Sequence, residues 1–248
     1  MVGGMPEAVL IWLETHDEIA VDEVQREILN DYADDFSKHS PITELPKIRW
    51  IWDSVPVQIA MENNKFIFSH VKKGKRAADL ENGLQWLKDA GLIYSLELVE
   101  KPEIPLSAFA DMTYFKVYMS DIGLLRARSK VPFRAILNET EGYGRYKGAF
   151  AENFVHNELI ALGKKPYFWR SGNTAEIDFL FDSQEFCVPV EVKAADNTQA
   201  KSYRQFCKKY LPETGVKLSM KNMAENMCEQ TRTVSLPLFL TWNIDRYI

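Results

Sequence analysis

No Gly-Lys-Ser or Gly-Lys-Thr occurs anywhere in the 248 residues. A phosphate-cradling loop needs glycines that bare backbone N–H groups, followed by lysine and a hydroxyl. Here Gly74-Lys75 runs into Arg76 and Gly163-Lys164 into Lys165, while Gly142, Gly144 and Gly148 lack both the spacing and the hydroxyl. We expect no nucleotide hydrolysis by this chain alone. Cysteine is scarce as well. Cys187, Cys207 and Cys228 are odd in number, lie about 20 residues apart and form no C-x-x-C pair, which predicts buried free thiols. No apolar run approaches the roughly 18 residues of a membrane helix, and no basic stretch leads into an apolar segment at the start. The expectation is a cytoplasmic protein with no membrane association. Repeats and low-complexity segments are absent too.

With 46% hydrophobic and 26% charged residues, the composition suits a globular protein large enough for two domains. Overall basicity is also missing, since the net charge is -5. That deficit is local: residues 1–40 hold ten acidic and two basic residues, so residues 41–248 carry +3. Local charge decides nucleic-acid binding.

Two acidic runs stand out, Glu176-Ile177-Asp178 and Val190-Glu191-Val192-Lys193. Strand side chains alternate, so Glu191 and Lys193 share a face. The turn-prone Asp182-Ser183-Gln184 predicts an antiparallel hairpin that brings Asp178 within about a residue of Glu191. Two carboxylates and an ammonium on one face suit a hard divalent cation and a phosphoryl transition state, although Glu-x-Lys is also ordinary chemistry for an exposed strand. Upstream, Ala151, Phe154, Val155, Leu159 and Leu162 recur at helical spacing before Gly163, predicting a helix over 148–162 with Glu152 at the edge of its apolar stripe. His156, one turn on, reads as a polar edge residue rather than a ligand.

Glu152 on a helix, Asp178 on one strand and Glu191-x-Lys193 on the next resemble the PD-(D/E)xK nuclease superfamily, with Ile177 in place of the proline that names the motif. Tyr167–Arg170, Thr198–Tyr210 and Val216–Met220 supply the remaining strand, helix and strand. Gln199 and Tyr203 have the Q-x-x-x-Y spacing of some DNA-end nucleases, a weak match. Gly3-Gly4-Met5-Pro6-Glu7, the run from Phe115 to Leu125 and Gly148-Ala149-Phe150-Ala151-Glu152-Asn153 resemble one group of prokaryotic AAA+ type ATPases, whose C-terminal part is catalogued as domain of unknown function 4143. The resemblance implies an α/β (α+β) fold: a helical lid remnant (1–40), a winged-helix domain (41–135) and a nuclease-like domain with a mixed central sheet (145–248). It implies a chain that begins where the P-loop ATPase core ends, with a separate or missing core as partner. It implies Mg2+ or Mn2+ held by Glu152, Asp178 and Glu191, with Lys193 catalytic beside them. A module that only holds DNA or protein, or a regulatory arm of an ATPase, remains open from the same residues.

Within residues 1–39, short helices are expected through Ala8–Trp12 and Val24–Tyr32. A helix through Ile48, Ile51 and Trp52 should break at Val55-Pro56, and another should start at Asp79 as N-cap and end at Gly91. Leu92–Val99 and Phe115–Met119 read as wing strands. Lys72, Lys73, Lys75 and Arg76 form a basic cluster able to displace counterions from DNA, with a weaker patch at Arg126, Arg128, Lys130 and Arg134. Asn138–Lys147 reads as a linker.

Overall fold

A computed structural model of the chain describes all residues except 62–64, 138–141, 173–174 and 195–200. The chain divides into two compact units, one of residues 1–95 and 116–150, the other of 96–115 and 151–248. No helix among the described residues is long and apolar enough to cross a membrane.

The first unit is largely helical: α1 (Pro6–Thr15), α2 (Glu18–His39), α3 (Leu45–Ile59), α4 (Phe68–Val71), α5 (Ala77–Asp89), α6 (Ile122–Arg128) and α7 (Phe133–Leu137). Asp17 caps α2 by accepting the Ile19 N–H at 2.8 Å, and Val21, Gln25, Leu29 and Phe36 form its buried stripe. At 22 residues, α2 is far longer than the short helix expected. α5 starts before Asp79, which sits in its first turn and accepts the Arg76 N–H at 2.9 Å. Gly83 lets α5 approach α3 closely, because a Cβ there would stand 3.3 Å from the Ile48 backbone nitrogen.

α3 also overturns its expected break, running through Pro56 to Ile59. Proline strips the Trp52 carbonyl of its helical donor. Arg128 takes over, donating from Nη2 to Trp52 O at 2.9 Å while its guanidinium lies 4.3 Å over the Trp52 ring. At the start of α6, Asp121 accepts from Leu124 N and Gly4 N. Gly123 is needed there, since a Cβ would collide with the Val2 carbonyl and the Gln25 amide. Arg126 donates to Asp22, Gln25 and the Val131 carbonyl beneath this loop.

The second unit is built on strands. β1 (Ile93–Val99) and β2 (Ala110–Met119) enter it through residues 96–115, with a 3-10 turn at Leu106–Phe109 between them. β2 begins five residues earlier than expected. Then follow α8 (Gly144–Ala161), β3 (Tyr167–Ser171), β4 (Ala175–Asp182), β5 (Cys187–Lys193), α9 (Lys201–Tyr210), β6 (Thr214–Ser219), β7 (Ala224–Cys228) and β8 (Thr231–Pro237). The sheet order is β2-β1-β3-β4-β5-β6-β8-β7. β3–β4, β4–β5 and β7–β8 pair antiparallel, whereas β1–β3, β5–β6 and β6–β8 are parallel. The fold is α+β on a mixed eight-stranded sheet. α8 starts four residues before the expected helix, and residues 138–141 of the expected linker lie outside the described residues. So do residues 198–200 of the second helix.

Tyr167, Trp169, Ile177 and Leu180 pack with Tyr203, Phe206 and Cys207 of α9 in one core cluster. Ile177 and Leu180 are three residues apart, which simple alternation forbids. A register shift against β3 between Tyr167 and Trp169 places both in that cluster.

Candidate functional site

The irregularity in β4 is where the acidic residues gather. Its ladder with β5 runs from Asp182–Cys187 to Phe179–Val190. One step further, a continued register would set Asp178 opposite Glu191. The Val192 N–H donates to Asp178 Oδ2, at 2.7 Å. The carboxylate thus ties β4 to β5 beside Glu191.

Glu191 is buried, with 2% exposure. Lys193 Nζ bonds its Oε1 at 2.6 Å, as shared strand parity requires. Glu191 Oε2 is buried with no hydrogen-bond partner among the described residues. Burial pushes the Glu191 carboxyl above its ordinary range, and repulsion from Asp178 adds to this against the pull of Lys193, with Glu152 contributing further upward. For Lys193, burial pulls the ammonium down, but Glu191, Asp178 and Glu152 outweigh it and hold the proton on. Glu152, half-buried on α8, is therefore electrostatically part of the group. Lys193 thus feels all three carboxylates.

No three His, Cys, Asp or Glu side chains among the described residues form a cage for a metal ion. Asp178 is held by Val192, and Glu191 by Lys193. Glu191 Oε2, without a partner among the described residues, is nevertheless what a divalent cation would satisfy, and the all-oxygen donor set is that of a hard ion.

His156 is not a polar edge residue. It is fully buried, its ring 6.2 Å from that of Phe179, and burial lowers its pKa to about 3. It is a neutral core residue. Gln199 lies outside the described residues. Tyr203 is buried, its hydroxyl 3.0 Å from Thr233 Oγ1, and packs against Gly215, a structural role.

Sequence reasoning passed over Arg170 and Tyr114. Arg170, paired with Glu176 across β3–β4, reaches its carboxylate at 3.2 Å and donates to the Tyr114 hydroxyl. Glu176 and Asp178 sit two apart on β4, which could have drawn attention to a charge partner on the neighbouring strand.

In the first unit, Lys72, Lys73, Lys75 and Arg76 occupy the turn between α4 and α5. Lys72, Lys73 and Arg76 are exposed and Lys75 is half-buried. Gly74, at φ +81°, makes the turn possible. Lys72 Nζ lies 5.1 Å over the Trp50 ring. The second patch is not a free basic face, because Arg126 and Arg128 are committed to Asp22 and Asp53.

Residues 147–239 match the family model described as Domain of unknown function (DUF4143), in agreement with the resemblance noted for the C-terminal part. Searches of curated proteins and of solved structures returned no match. Residues 1–134, more than half of the chain, match the model for Domain of unknown function (DUF8612), and the chain belongs to that family.

Proposed function

We propose that residues 145–248 are a PD-(D/E)xK nuclease-like domain acting on DNA phosphodiesters. Residues 1–40 and 41–135 would be a lid remnant and a winged-helix DNA-binding domain of an AAA+ type ATPase. The observation that carries this reading is the junction of β4 and β5, where Asp178 bridges to Val192 beside the buried Glu191–Lys193 pair and its unpartnered carboxylate oxygen.

Asp178 and Glu191 would hold Mg2+ or Mn2+, with Glu152 completing the shell directly or through water. The ion would supply Lewis-acid stabilisation of a phosphoryl oxygen. Lys193, anchored on Glu191, orients the attacking water and offsets charge growing on the scissile phosphate. The turn at Lys72–Arg76 would contact the DNA backbone. A second reading, a module that binds DNA or protein without cutting, is favoured by the lack of a preformed metal cage among the described residues.

Calorimetry with MnCl2 and a nicking assay on supercoiled plasmid decide between them. The nuclease reading expects metal binding with cleavage, and a Lys193→Ala variant that keeps the metal but loses cleavage. Metal bound without cleavage leaves the binding module. No metal binding at all sinks the site.

A further inference from the structure

β7 ends the sheet, paired with β8 alone among the described strands. Ala224, Glu225, Asn226 and Met227 are all exposed although their side chains alternate, so neither face of the strand is covered. Cys228, half-buried at its end, departs from the expectation of three buried thiols. The two-residue turn Glu229-Gln230 makes Cys228 and Thr231 a hydrogen-bonded pair. By alternation, Met227 with Arg232 and Glu225 with Val234 are then pairs whose backbones do not bond each other. The Arg232 N–H accordingly turns the other way, to Glu213 O at 3.0 Å. The N–H and C=O of Glu225 and of Met227 therefore point off the edge of the sheet.

An exposed edge is ordinarily guarded by lysine, proline or a bulge. β7 carries none of these, and its register with β8 is continuous. Its one charge, Glu225, is neutralised by the Arg232 fork, with Nε to Oε1 at 2.9 Å and Nη2 to Oε2 at 3.1 Å. Met227, 65% exposed, leaves the outer end apolar.

We propose that β7 pairs antiparallel with β7 of a second copy of this chain, joining two sheets across a two-fold axis at Asn226. In that register Glu225 of each copy exchanges both backbone bonds with Met227 of the other, which uses every outward group of the strand. The edge is its own complement, as a two-fold interface requires. Centring the axis on Glu225 or Met227 instead would set that residue against itself and leave the other facing a residue beyond β7. Charge favours the same register. Each Glu225 meets Met227 rather than another carboxylate, and it falls in line with the Arg232 that Met227 faces within its own hairpin. The seam is short, so the dimer forms in a concentration-dependent way. This pairing is independent of the nuclease reading.

Sedimentation of the full chain over a range of concentrations tests it, with a reversible monomer–dimer equilibrium as the expected result. Met227→Pro removes an outward N–H that β8 does not use, so it should abolish the dimer and leave the thermal midpoint unchanged. In a Cys228→Ser background, Asn226→Cys places two thiols against each other at the axis and should give a disulfide-linked dimer under mild oxidation. Lys221→Cys, far from its own counterpart in this register, should not. If Met227→Pro fails to fold, the two cysteine variants still decide. A parent chain monomeric at every concentration, a dimer that survives Met227→Pro, or Asn226→Cys cross-linking no faster than Lys221→Cys would each overturn the proposal.

Discussion

Asp178 serves the sheet and the candidate site with one carboxylate, and substitution can separate the two duties. Asp178→Ala strands the Val192 N–H between two strands and should cost about 1–3 kcal/mol in urea unfolding. Asp178→Asn keeps an oxygen to accept that bond and should cost less, while on the proposed reading both variants lose Mn2+ affinity, since a neutral amide is a poorer ligand for a hard cation. Equal stability losses in the two would show that the Val192 bond is not what Asp178 contributes. Glu191 makes a pH-dependent contribution. Its carboxyl is raised, first by burial and then by Asp178, so the folded chain holds this proton more tightly than the unfolded one. The resulting stability is full below the ordinary carboxylate range and is lost as pH rises toward the raised folded value. Relative to the parent, Glu191→Gln should therefore gain stability between about pH 5 and about pH 8. A difference that stays constant across that interval would count against a raised carboxyl.

At the scale of elements, α3 is the instructive case. Pro56 reads as a helix end because the local rule considers only the preceding residue and the missing N–H. The compensation comes from Arg128, 76 positions away, which serves the orphaned Trp52 carbonyl. Arg128→Met should therefore destabilise the chain by about 1–3 kcal/mol through that unpaired carbonyl. In a Pro56→Ala background the residue-56 N–H can reach the carbonyl itself, and the loss should shrink. A thermodynamic cycle over the two positions measures this coupling, and simple additivity would mean that Arg128 acts through its ring contact or Asp53 instead. β4 teaches the same lesson for strands. Alternation correctly pairs Glu191 with Lys193, yet the register shift that admits both Ile177 and Leu180 to one core cluster is invisible without β3 beside it.

For the whole molecule, the net charge of -5 hides a division between an acidic start and a more basic remainder, and on the proposed reading DNA binding depends on the basic turn rather than on the total. Replacing Lys72, Lys73, Lys75 and Arg76 together with Ala should flatten the salt dependence of duplex binding, by about 0.9 in the log–log slope for each phosphate no longer neutralised. Fluorescence anisotropy at several salt concentrations reads this directly. An unchanged slope would move the binding surface elsewhere.

Beyond the α+β class that the family resemblance implied, the sequence by itself determined the helix that carries Glu152 and the hairpin that brings Asp178 close to Glu191. These follow from periodicity, turn residues and short-range spacing, which act within one or two elements. Tertiary structure alone decided the burial of His156 against Phe179, the partnering of Arg170 with Glu176 and Tyr114, and the rescue of α3 by Arg128. Each joins residues that no local rule connects. Their energies come from desolvation and from satisfying buried polar groups, which exist only once distant segments have packed together.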